Sequence, residues 1–172
     1  MAYIGGLPNN KNQLSPLNFQ FRIKKLPATN FFVTAVELPG LTASPPKVGN
    51  PLHPLPMAYD KLQYNDLTLT FKVDEDLVNY LEIYDWMVGV GFPTRFEERK
   101  MLDKKGVEGK FADGSLTVGT SKKNPNVQFM FKDLLPYSLS NLRFGTTDSD
   151  IIYVEATVSF VYSYYTVERR KA

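Results

Sequence analysis

Apolar side chains recur at every second position along several stretches of this chain. That spacing leaves few choices, because only a β-strand points successive residues to opposite faces. The segment NFQFRIKK places Phe19, Phe21 and Ile23 on one side and Gln20, Arg22 and Lys24 on the other. DLTLTFKV repeats the scheme with Leu67, Leu69, Phe71 and Val73 against Thr68, Thr70 and Lys72. NVQFMFKD offers Val127, Phe129 and Phe131 as a short strand. IIYVEATVSFVYSYYTVE alternates over one long terminal strand, with Val154, Ala156, Val158, Phe160, Tyr162 and Tyr164 facing one way. NFFVTAVELPG is apolar on both sides and reads as a strand covered on two faces until Pro39-Gly40 ends it. An aromatic content of 13%, with 12 Phe and 10 Tyr, agrees with a mainly β chain.

One stretch breaks this rhythm. In DEDLVNYLEIYDWMVGVGFP, Leu77, Leu81, Tyr84 and Val88 fall together at helical spacing, flanked by Tyr80 and Met87, with Asn79 and Glu82 opposite. The spacing predicts a helix whose core face is that leucine side, with Asp74 as N-cap and Glu75 and Asp76 in the first turn, where the helix dipole favours negative charge. Gly89 and Pro93 supply the stop. Trp86 then projects on the polar side together with Val78 and Glu82. An indole there is covered either by a partner or by one of the chain's own long loops folding over it.

At 172 residues the chain suits one domain, residues 1–172, with two excursions. The first, about residues 41–57, is a proline-rich arm that holds a stiff extended shape outside any sheet interior. The second, about residues 93–125, is a polar, charged insertion rich in Gly, Lys and turn residues. The amino terminus lacks the pattern of a secretion signal, and no stretch is long enough to span a bilayer, so no membrane partner is expected. There is no cysteine, which excludes disulfides, thiolate metal sites and cysteine catalysis, and fits assembly in a reducing cytoplasm. With a formal net charge of +2, the chain lacks the basic excess of a nucleic-acid binder.

Catalytic and metal chemistry find little to stand on. A calcium loop starting at Asp74 meets Asn79 where glycine is required, and Ile152 follows the acids Asp148 and Asp150 where the next ligand should stand. His53 is the single histidine, set between Pro51 and Pro54; a hydrolase would need it oriented by a distant acid such as Asp60 or Asp66. Neither phosphate-cradle spacing occurs. We therefore expect no catalytic, cofactor-binding or metal residues and no enzymatic activity. The aromatic-basic interleaving of FQFRIKK and VQFMFKD resembles single-strand nucleic-acid binders, but alternation separates the rings from the cations, so core phenylalanines explain it more simply.

The order of elements, together with VELPGLT and the run from YNDLTLTFKVDEDL through IYDWMVG, resembles the tail tube family of contractile-tailed bacteriophages over residues 17 to 167. The resemblance implies a β-sandwich or barrel with one flanking α-helix, shared with the tubes of type VI secretion. It implies a structural virion protein, assembled in the host cytoplasm, whose hexameric rings stack into the inner tube through which viral DNA passes without sequence-specific binding. Sheath and baseplate proteins are the implied partners. A tube-like ring at the baseplate or at the head-proximal end is the alternative, and a single-stranded nucleic-acid-binding module a remote one. The inter-ring role falls on the arm, through Leu41, Pro45, Pro46, Leu52, His53 and Leu55. The helix surface carrying Trp86, Val78 and Glu82 would meet a neighbouring subunit or the sheath. Candidate lumen residues are Thr68, Thr70, Lys72, Gln128, Glu155, Thr157 and Ser159, although Arg22, Lys24, Lys72 and Lys132 make the polar faces less acidic than a DNA conduit would want.

Overall fold

The computed structural model describes residues 11–49, 52, 53, 55–59, 61–91, 109–146 and 153–169. Its strands are β1 (Phe19–Ile23), β2 (Val33–Glu37), β3 (Leu41–Ala43), β4 (Lys47–Val48), β5 (Leu55–Pro56), β6 (Leu62–Tyr64), β7 (Leu67–Lys72), β8 (Ala112–Gly119), β9 (Pro125–Leu139), β10 (Glu155–Val161) and β11 (Tyr164–Arg169). Two helices, α1 (Pro27–Phe32) and α2 (Val78–Gly91), complete the described elements.

The architecture turns on β9. Its first half, Val127 to Lys132, pairs with β8 on one side and β11 on the other, while Leu135 to Leu139 pairs with β10. Between the halves Asp133 takes a positive φ of 59°, and the β8 register slips between Ala112 and Gly114. Such bulges bend a strand. One layer is therefore β1-β8-β9-β11, the other β9-β10-β7-β2, all antiparallel, with β9 common to both. The alternation explains why they face each other: Phe21, Ile23, Leu116 and Phe131 from the first layer join Leu67, Leu69, Phe71, Ala156, Val158 and Phe160 from the second in one buried cluster. At about 25 cal/mol per Å² of apolar surface removed from water, this shared interior is the main source of stability.

Four expectations are corrected. First, the arm's neighbour β2 is not covered on two faces. Pro27 at the helix start directs Pro27–Phe32 into α1 instead, and Phe31, Thr34 and Ala35 are exposed. Second, the terminal segment is not one strand. The chain bends at Tyr162 and Ser163 to pass from the second layer to the first, after which Tyr165, rather than Tyr164, turns inward.

Third, the polar insertion at about 93–125 contains a central strand. β8 buries Ala112, Gly114 and Leu116, a row too small and too interrupted by Thr and Asp to register as apolar. A Cβ on Gly114 would lie 2.5 Å from Leu134 Cδ1 and 3.2 Å from Ile23 Cγ1, so close packing demands glycine there. Residues 93–108 of that insertion, and also Pro51, Pro54, Asp60, Asp148, Asp150 and Ile152, lie outside the described residues. Fourth, β9 is far longer than the short strand expected at Val127 to Phe131.

Candidate functional site: an assembly surface

The helix reverses its expected orientation. Asn79, Glu82, Ile83, Trp86 and Gly89 face the body, and Trp86 is only 2% exposed. Val78, Leu81 and Tyr84 face solvent, Leu81 at 46%. The polar groups on the inner face are satisfied one by one, which makes this rotation possible. Asn79 Nδ2 donates to the Lys72 carbonyl at 2.7 Å, and its Oδ1 accepts the Asp74 amide at 3.2 Å. Glu82 Oε2 accepts the amide and hydroxyl of Thr29 at 3.3 and 3.4 Å, and the Thr29 hydroxyl also lies 3.1 Å from the Asn79 carbonyl. Trp86 Nε1 donates to the Lys110 carbonyl at 2.9 Å, its ring 6.1 Å from Phe160. Lys25 donates to the Gly109 carbonyl at 2.9 Å with its ammonium 4.7 Å from the centre of the indole.

Trp86 and Glu82 therefore lie inside the fold and cannot form an outer contact surface. Within the charged insertion, Lys110 holds the indole N–H and Gly109 holds the Lys25 ammonium that lies over the ring. Of the three residues expected at that surface, Val78 alone is exposed. The acidic knot is a turn, not a helical first turn. The Leu77 amide donates to the Asp74 carbonyl at 2.9 Å, Leu77 takes a φ of 57°, and α2 begins only at Val78, so Asp74 is not the N-cap. Among the described residues no group of three or more His, Asp or Glu side chains is placed to hold a metal ion.

The arm is a β-ribbon. β3 pairs with β6 and β4 with β5, and the Met57 amide closes onto the Pro46 carbonyl at 2.8 Å. Leu41, Pro45, Pro46, Leu52 and His53 are all exposed, Leu52 at 90%; Leu55 lies in β5, and its side chain is outside the described residues. Pairing puts Leu41 opposite Tyr64 and Ala43 opposite Leu62, so these four share one face while Thr42 and Gln63 share the other. At the ribbon's base Tyr64 packs edge-on against Tyr162 and Tyr165, with ring centres 5.9 and 5.4 Å apart. The Tyr162 hydroxyl donates to the Asn65 carbonyl at 2.8 Å. Burial, aided by Tyr165, Tyr64 and Asp66, pushes the Tyr162 phenol above its ordinary range.

The candidate lumen residues divide between the two layers. On the outer face of the second, Lys72 lies opposite Glu155, Thr70 opposite Thr157 and Thr68 opposite Ser159, with the Thr70 and Thr157 hydroxyls 3.4 Å apart. Gln128 does not belong with them. It sits on the first layer in the row Gln20, Thr117, Gln128, Glu168. Three of the cations that argued against an anionic passage, Arg22, Lys24 and Lys132, also leave this set. Arg22 is in β1 of the first layer, and Lys132 in β9 donates to Asp113, whose carboxyl this bond holds below the usual carboxylate range with a smaller contribution from Lys24.

This arrangement, a two-layer antiparallel sandwich with one long flanking helix and a projecting ribbon, is a tail-tube-like fold. No protein-family model and no curated protein sequence matches the chain. Solved structures match it by shape. The cryo-EM structure of the anti-feeding prophage cap, a tube-terminating cap, superimposes with a TM-score of 0.65 at 12% identity, covering 99% of this chain and 100% of that one. The sheath/tube terminator of the PVC extracellular contractile injection system gives 0.61 at 12% identity, covering 92% and 98%. The sheath-tube complex of the same system, in its extended state, gives 0.59 at 12% identity, covering 93% and 94%.

Proposed function

We propose that the chain is a structural subunit of the inner tube of a contractile tail, its copies closing into hexameric rings that stack around a central passage and meet sheath and baseplate proteins from outside. The observation that carries this reading is the fold shared end to end with tube and terminator chains. The surface supports it. Both layers present polar outer faces, as a wall between a water-filled bore and an outer coat requires, and the ribbon projects an exposed apolar edge suited to bridging copies. The second layer is the better bore wall for DNA. Its outer face is rich in Ser and Thr, and Lys72 stands opposite Glu155, so it offers phosphates no uncompensated row of cations to bind.

Electron microscopy of the purified protein at rising concentration tests the proposal. Rings and stacked rings are expected; a monomer at every concentration overturns it. Removing residues 44–59 should leave rings and prevent stacking. A second reading, a ring that terminates the tube, is favoured by the cap and terminator matches, which score above the tube complex. Copy number in isolated particles separates the two, with many rings for a tube and one or a few for a terminator.

A further inference from the structure

Among the described residues, the helix α2 and the ribbon each present an exposed apolar surface, and the two differ in charge character. The first is the outer stripe of α2, where Val78, Leu81 and Tyr84 follow at intervals of three and Asp85 lies one turn beyond Leu81. From Val73 to Gly91 the sequence has no Lys or Arg, and apart from the inward-facing Glu82 its acids are Asp74, Glu75, Asp76 and Asp85. The second is the ribbon, where Leu41 and Leu62 share a face and remain about half exposed while Leu52 stands at 90%. From Leu38 to Tyr64 that stretch carries Lys47 and Lys61 against one acid, Asp60. Within one copy neither surface covers the other: among the described residues the ribbon's strands pair with one another, and the helix stripe stays exposed.

We infer that the ribbon of one copy docks on the outer stripe of α2 of another copy, its leucines against Leu81 and Tyr84 and Lys47 toward the acidic helix. This deepens, and rests on, the reading that the ribbon bridges copies. Apolar matching supplies the association, and the charge bias selects the orientation. A two-stranded ribbon this short is marginal alone and gains its order from what it lies on. Because the two patches differ, the contact is head-to-tail and leaves each end of an assembly with one unused patch, so addition can continue.

The absence of native cysteine makes a direct test clean. In the full chain carrying Leu52→Cys and Leu81→Cys together, mild oxidation of assembled material should give a disulfide ladder extending beyond dimers; each single variant should stop at dimers. Lys47→Glu and Asp85→Lys should each raise the concentration needed for stacking by about two- to fivefold, and the double exchange should restore it, with circular dichroism confirming that every variant is folded. Absence of the ladder from assembled material, or single charge variants that stack like the parent, overturns the inference. If removal of residues 44–59 stops stacking while Leu81→Asp does not, the ribbon still bridges copies but the helix stripe is not its seat, and it is left to an outer protein such as a sheath. If removal leaves stacking intact, the bridging role itself fails.

Discussion

Trp86 and Leu81 occupy the same helix, and their substitution should separate the buried face from the open one. Trp86→Ala removes a buried indole, its bond to the Lys110 carbonyl and the surface beneath Lys25. Chemical denaturation should record a loss of about 3–5 kcal/mol. Leu81→Ala, on the exposed side, should change monomer stability by no more than about 0.5 kcal/mol. The helical wheel implies the opposite ranking. It weighs side chains by hydrophobicity and has no means of knowing that Thr29, far away in the chain, satisfies Glu82, or that the backbone of Lys72 and Asp74 just upstream satisfies Asn79. Gly114→Ala is the other sharp residue-level case: its new methyl meets Leu134 and Ile23, both fully enclosed, and overpacking should cost about 1–3 kcal/mol in the same measurement.

Elements whose alternation is strict are legible in the amino-acid sequence. β1, β7 and β10 bury the residues that the period of two selects. β8 is hidden because its inward positions include a glycine and an alanine, which carry almost no hydropathic signal. The β10–β11 corner is hidden because alternation runs through it while the chain changes layer. The prolines mark a segment kept out of the sheet interior, but not its ribbon pairing, which runs on to Tyr64 and joins partners about twenty residues apart. At the base of that ribbon, Tyr162→Phe keeps the ring contacts and deletes the bond to Asn65, which should cost about 0.5–1.5 kcal/mol. The phenol offers a pH test as well. Its folded-state pKa lies above the unfolded value of about 10, so its contribution is complete below that pH and is lost as pH rises through the folded value. In an ultraviolet titration a phenolate that forms above the ordinary tyrosine range should disappear in Tyr162→Phe.

At the scale of the whole molecule, the candidate assembly surfaces lie off the interior, so assembly and folding should be separable. Replacing residues 44–59 with a short glycine turn joins β3 to β6 directly and touches none of the buried cluster. The melting temperature of the monomer should stay within about 2 °C of the parent, because loop length enters stability only logarithmically. Calorimetry of the shortened chain at low concentration checks this.

β9 has a mechanical corollary. In a sandwich whose sheets touch only through side chains, shear between the walls is opposed by packing alone. Here one unbroken backbone crosses from the first layer to the second at Asp133. A thrust on one wall reaches the other through covalent bonds, giving the fold a built-in strut.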